Sequence, residues 1–404
     1  MIRLIIKVLL TSILHIKTWA LIFFLPISLM AQQSVDDILL QIEKNNTTLL
    51  ALKKRVEAET IGNKSGITIP NPEAEFNYLW GDPSIIGNRT DFSIKQSLDF
   101  PTAYRFKSQI SDLKNEQILI EYQKELYAIR LQAKMLCFDI IYYNALIDEL
   151  TRRVTYARQI AQSYQSKFDV GETNILEYNK AQLNLLNVVK TLESTEVERN
   201  AQLAELTRLN GGIPVEITEN EFQPVVLAVS FDQWISQAEQ QTPMLAWINK
   251  EIEISRKQEG LSKAMGLPKF QAGYMSESVV GQQFQGVTLG VSVPLWENKN
   301  RVKYAKANSL ALESVGADNK VQFYNHLKAL YNKAAGLQQN VAGYREGLRQ
   351  YYNTAFLKTA LDKGEISLIN YITEFSFYYE SINNLLITER NLNKAVAELN
   401  QFTR

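Results

Sequence analysis

The residues able to do chemistry are sparse in this chain, and where they gather they flank glycines. Two histidines, His15 and His326, and one cysteine, Cys137, occur in 404 residues. That is too few for a histidine-rich metal site, and no disulfide can form within one chain. Phosphate-loop, nucleophile-elbow and zinc-helix motifs are absent. Tyrosines come as adjacent pairs, Tyr142 with Tyr143, Tyr351 with Tyr352 and Tyr378 with Tyr379. Neighbours on a helix diverge by about 100°, which suits seams between helices better than a catalytic cluster. Met135, Met244, Met265 and Met275 read as core packing, with a copper relay as the competing reading. No enzyme activity and no cofactor is expected. What remains is hydrogen-bonding chemistry. Phe168-Asp169-Val170-Gly171-Glu172 and Leu361-Asp362-Lys363-Gly364-Glu365 each set two carboxylates around a glycine, with Tyr178 and Tyr371 following in register. Such acceptors at an exposed reversal can bind a partner, although carboxylates also suit the first turn of a helix as plain solvated residues.

The elements that position these stretches occur twice. Gly171 and Gly364 stand at the same separation as Pro101 and Pro294, and Tyr78 and Tyr274 at nearly the same, so the chain reads as one module written twice. The first copy spans 32–210, a linker 211–230 and the second copy 231–404. Each copy opens with a helix, 34–66 and 231–264. Thr102–Phe168 contains neither glycine nor proline, which predicts a helix of roughly 100 Å. Such a length must lie against others in a coiled-coil-like array. After Gly171 a second helix runs antiparallel from Thr173 to about Asn210. In the second copy a long helix is expected from about Glu297 to Leu361, carrying Gly316, Gly336, Gly343 and Gly347, which weaken it. After Gly364 a last helix is expected to reach Arg404.

Between the helices the period switches to two. Over about 73–100, Phe76, Tyr78, Trp80, Phe92 and Ile94 alternate with Glu75, Asn77, Asp91, Lys95 and Asp99. Over about 269–293, Val287, Leu289 and Val291 alternate with Thr288 and Ser292. Each stretch is a β-hairpin, apolar on one face and polar on the other. A hairpin lying on a soluble core would look similar. Strand length and aromatic residues at the strand ends favour an outer-membrane pair, lipid on the apolar face and a lumen on the polar one. Four strands cannot close a barrel, and open edges in lipid leave backbone groups unpaired. Two chains would supply eight strands around a filled interior, and three would supply twelve around water. The expected fold is therefore mainly α with a small β part: a trimeric α-helical barrel continuous with a shared twelve-stranded transmembrane β-barrel.

Residues 1–31 carry only Arg3, Lys7 and Lys17 as charges, and Trp19–Met30 is apolar apart from Pro26 and Ser28. This reads as a secretory signal peptide ending at Ala31. A membrane anchor is the alternative, with a short run for a span. No cysteine follows it to accept a lipid. With 43 basic and 43 acidic residues, no basic field for nucleic acid exists.

In this duplicated order of helix, hairpin, long helix, glycine tip and helix, the sequence resembles the TolC family of outer-membrane efflux channels. The helix openings Ser34-Val35-Asp36-Asp37, leading to Asn45-Asn46, and Ser230-Phe231-Asp232-Gln233, leading to Thr242-Pro243, look like that family's recurrent start. The resemblance implies a homotrimer in the outer membrane with a large periplasmic portion. It also implies a periplasmic adaptor at the tips and an inner-membrane pump of RND type. Carried over, the adaptor-facing residues are Phe168, Asp169, Gly171, Glu172 and Leu176 with Leu361, Asp362, Gly364, Glu365 and Ile369. Drug-exporting members place acids six and nine positions after the second tip glycine to line the closed aperture. Here Asn370 and Thr373 stand there instead. Asn71-Pro72 and Leu98-Asp99-Phe100-Pro101 look more like the heavy-metal branch, which implies metal cations as cargo. A multidrug or type I secretion channel is the alternative, and a periplasmic long-helix structural or adaptor protein is the alternative of another class.

Overall fold

The computed structural model describes residues 34–228, 230–351 and 354–401. The signal-peptide expectation over 1–31 lies outside them. α1 (Val35–Asn45) starts with a reciprocal cap: Ser34 accepts from the Asp37 amide at 3.3 Å, and the Asp37 carboxylate accepts from the Ser34 amide at 3.2 Å. The helix expected over 34–66 is broken at Asn46, and α2 (Thr47–Gly62) follows. Asn46 is buried; its side chain caps α2 through the Leu49 amide and donates to the Leu209 carbonyl at 2.8 Å. That carbonyl lies far along the chain, which is why the break does not announce itself locally.

β1 (Glu73–Leu79) and β2 (Arg89–Leu98) precede α3 (Pro101–Asp169), an unbroken helix of 69 residues with Pro101 in its first turn. α4 (Ile175–Leu209) returns along it. Residues 210–228 form no regular element, yet part of the segment is packed. Val215 and Ile217 are buried with α1 and α3, and the Asn144 amide donates to the carbonyls of Ile217 and Glu219.

α5 (Phe231–Gln241) and α6 (Pro243–Ala264) replace the single helix expected over 231–264 and meet at the buried Thr242. β3 (Lys269–Val279) and β4 (Gln282–Ser292) turn over Val280 and Gly281, both at positive φ. α7 runs Arg301–Gln350, later and shorter than the helix expected from Glu297 to Leu361, and α8 (Thr354–Asp362) resumes beyond a break. α9 (Leu368–Leu399) is the last element among the described residues and stops short of the Arg404 expected for it.

The apolar residues gather in three clusters along this elongated body. α1 to α4 share one around Ile38, Ile42, Cys137 and Ile140. α5, α6, α7 and α9 share another around Phe231, Leu327 and Ala334. A third, near the reversals, joins Ala181 of α4 to Leu361, Leu368, Tyr371 and Phe375. The four strands form one antiparallel sheet in the order β1-β2-β3-β4, so its central pair joins strands far apart in the chain and both outer edges are unpaired. Among the described residues no helix is long and apolar enough to cross a membrane.

Candidate functional site: two reversals and an inverted sheet

Both reversals are built from the same bonds. At the end of α3 the Gly171 amide donates to the Phe168 carbonyl at 3.0 Å and the Glu172 amide to the Lys167 carbonyl at 2.7 Å. At the end of α8 the Gly364 amide donates to Leu361 at 3.0 Å and the Glu365 amide to Ala360 at 2.8 Å. This crossed pair closes a helix through a left-handed residue. The glycines sit at φ +78° and +73°, where a β-carbon is strained. Three residues on, Asn174 caps α4 and Ser367 caps α9.

The side chains differ. Phe168 stacks on Tyr178 at 5.2 Å, and Asp169 accepts from Gln165 at 2.8 Å. Asp362 accepts from Lys358 at 3.3 Å. Glu172 and Glu365 make no hydrogen bond or ion pair among the described residues. Leu176 and Ile369 are exposed, but Leu361 is buried between the two reversals and is not free to touch a partner. Val170 and Ile175, which lie within the expected tip Phe168–Leu176, are exposed as well.

Asn370 is exposed and Thr373 spends its hydroxyl on the Ile369 carbonyl at 2.8 Å. Glu374 and Phe377 share the helical face of Asn370. With Gly343, Tyr344, Gly347 and Tyr378 they line a cleft of about 660 Å³ between α7 and α9. An acid therefore stands on this face, one position beyond those the resemblance pointed to.

Behind the tips a polar latch joins α3 to α9. Arg153, buried, pairs with Glu149 at 3.0 Å, donates to Asn383 at 3.0 Å and lies over the Tyr379 ring at 4.1 Å. Asp139 of α3 holds Lys394 at 2.6 Å. Tyr371, Phe375 and Tyr379, at four-residue spacing, form a ladder with centroids 4.6 and 5.3 Å apart. Burial, helped by the Asp362 charge, pushes the Tyr371 phenol up to about 12, and burial raises Tyr379 further still. These phenols stay protonated at physiological pH and serve as packing. Among the described residues no three His, Cys, Asp or Glu side chains gather as a metal site.

The sheet turns the usual arrangement inside out. Pairing aligns Phe76 with Phe92, Ile94 with Tyr274, Tyr274 with Val287, Ala272 with Leu289 and Phe270 with Val291. With Tyr78 these make one continuous apolar face, and it is the exposed one: Val287 is 83% and Leu289 84% accessible. The opposite face carries Glu75, Asn77, Asp91, Lys95, Thr288 and Ser292, and its Ser93 is only 8% accessible. Lys95 approaches Glu75 at 3.7 Å. Arg89, unremarked in the sequence, pairs with Asp91 on its own strand at 2.8 Å and with Glu277 of β3 at 3.1 Å. Two residues leave the strands altogether. Trp80 lies beyond β1, edge-on to Tyr78 at 5.5 Å. Asp99 lies beyond β2, where Lys107 of α3 holds it at 3.0 Å.

No family model and no curated protein matches the sequence. Solved structures do. The CmeC outer-membrane channel of Campylobacter jejuni is similar over 91% of this chain and 84% of its own, with TM-score 0.75 and 14% identity. CusC, whose structures concern folding and transmembrane channel formation, is similar over 92% of both chains, with TM-score 0.76 and 11% identity. The outer-membrane protein VceC of Vibrio cholerae covers 90% of this chain and 93% of its own, with TM-score 0.70 and 10% identity. At these identities the likeness is one of fold.

Proposed function

We propose that this chain is an outer-membrane efflux channel: a homotrimer whose sheets close a twelve-stranded barrel and whose helices extend the duct into the periplasm. The observation that carries it is the inverted sheet. A water-soluble sheet hides its apolar face, whereas here the apolar face is bare and the polar residues gather on the opposite one. That is the arrangement a barrel wall needs, lipid outside and water within. The unpaired edges of β1 and β4 call for further copies of the same sheet, since lipid does not tolerate open edges. Three copies give twelve strands, enough for a water-filled interior. A periplasmic structural protein would carry the same long helices but leave this apolar face as an aggregation liability.

The duct performs no chemistry, and its energy comes from an inner-membrane pump of RND type reached through a periplasmic adaptor at the reversals. Phe168, Asp169, Gly171, Glu172 and Leu176, with Asp362, Gly364, Glu365 and Ile369, form the adaptor-facing surface, to which Val170 and Ile175 are added. Repeated spacing of hairpin, long helix and glycine reversal supports an origin by internal duplication, and residues 1–31 would direct export. The test is accumulation in cells with and without the gene, beside fractionation of the protein. Zinc, cobalt, cadmium, copper or silver retained on deletion assigns the metal cargo that the Leu98-Asp99-Phe100-Pro101 stretch favours. Retained hydrophobic drugs assign the multidrug class. Recovery in the soluble periplasmic fraction overturns the channel.

A further inference from the structure

The connection from β4 to α7 has a feature its first-half counterpart lacks. β2 passes into α3 through Asp99 and Phe100 alone, whereas Val293–Asn300 intervene between β4 and α7. This loop shows its largest apolar side chains to solvent: Leu295 is 68% accessible, Trp296 80%, and Tyr304 in the next turn 74%. It is held in that posture. The Asn298 amide donates to the Met265 carbonyl at the end of α6, the Lys299 amide to Trp296 and the Arg301 amide to Asn298, with Asn300 at φ +66°. Around the aromatics lie Lys299, Arg301 and Lys303, exposed and without ion pairs among the described residues. The one acid of the loop, Glu297, faces Lys269 at 3.8 Å.

We propose that the loop Val293–Asn300 with the first turn of α7 is an anchor for the anionic phosphate headgroups of the leaflet on the helix side of the sheet. It rests on the proposal above that the apolar sheet face meets lipid, with which Val293 and Leu295 continue at strand spacing after Val291. Trp80 stands at the hairpin end of that face and Trp296 at the helix end, the two levels where an amphipathic ring sits in a bilayer. An uncompensated cluster of cations beside an interfacial tryptophan complements phosphate, not the zwitterionic average of a neutral surface. The first half sets there one exposed cation, Arg105, and no cluster: Lys107 is neutralised by Asp99, and Phe100 turns its ring toward Phe270 at 6.2 Å.

The test uses the full-length protein in its native oligomer, reconstituted into phosphatidylcholine vesicles at low ionic strength. Brominated phosphatidylglycerol or brominated phosphatidylcholine is added at equal mole fraction. The difference in emission between the native chain and W296F isolates Trp296. We expect brominated phosphatidylglycerol to quench it at least twofold more than brominated phosphatidylcholine, and K299E/R301E/K303E to abolish that preference. Equal quenching by both lipids in the native chain overturns the headgroup assignment. No quenching by either, while a V291W probe is quenched, overturns the anchor and shows that something else, such as a second copy, covers the loop. If V291W is also unquenched, the membrane assignment of the sheet falls together with the anchor.

Discussion

The two halves of the chain run through the same order of elements and part company in the helix that feeds each reversal. α3 reaches Gly171 without a break over 69 residues. α7 carries Gly316, Gly336, Gly343 and Gly347, stops at Gln350, and resumes as α8 before Gly364. The reversals themselves are bonded alike. The glycine therefore sets the turn, and the helix behind it sets how stiffly the turn is held. The first half also meets the second through buried polar contacts near α9, whereas the α7 side faces an open cleft.

The largest expected effect tests that asymmetry directly. Arg153→Ala removes a buried cation whose partners Asn383 and the Tyr379 carbonyl lie on α9. Breaking a buried pair costs about 3–5 kcal/mol, and the low end applies because Arg152 still faces Glu149 at 3.1 Å. Arg349→Ala, in the exposed pair with Glu346 on α7, should leave the unfolding midpoint unchanged. Equal effects of the two substitutions, measured by denaturant unfolding of the purified protein, would erase the distinction between a clamped and an open side.

Next comes a contrast between the sheet's faces. Val291→Arg should cost about 2–4 kcal/mol if it meets the bilayer midplane. Ser292→Arg, on the opposite face, should cost much less if that face lines the proposed water-filled interior. The yield of folded protein and its unfolding in lipid micelles provide the readout. Indistinguishable yields would mean that neither face meets lipid.

Which residues share a strand face was legible in the sequence because alternation alone decides it. Where Trp80 and Asp99 sit was not, since both continue the alternation in type while the strands end at Leu79 and Leu98. The break at Thr242 was signalled by Pro243, which opens α6, but the break at Asn46 was hidden for another reason. Asparagine inside a helical pattern costs little locally, and Asn46 becomes a cap held by the distant Leu209 carbonyl. Leu361 looked like any apolar tip residue, and its burial depends on α3 and α9 closing over it. The latch around Arg153 was invisible because its members lie on helices that sequence spacing cannot juxtapose.

At the reversals themselves the halves should behave alike. Gly171→Val and Gly364→Val force a β-branched residue into left-handed backbone at about 1–2 kcal/mol each. No atom stands within 4 Å of an added β-carbon at either site, so the cost is conformational and not steric. If the chain is the proposed channel, export should fall in both while the folded oligomer persists. Unaltered export in both would remove the reversals from the docking surface.

The smallest effect has the opposite sign and bears most closely on why the halves differ. At Gly343 and Gly347 an added β-carbon also meets nothing within 4 Å, but here the backbone is helical. Gly343→Ala and Gly347→Ala should each stabilise α7 by up to about 1 kcal/mol by lowering the entropy lost on forming helix. Amide hydrogen exchange should slow over 336–362 and stay unchanged along α3, narrowing the gap between the two halves. If exchange slows and export falls together, the softness of the α7 side is part of how the duct works. If exchange slows and export is untouched, the glycines serve only to keep the cleft between α7 and α9 open, and the difference between the halves is one of surface shape.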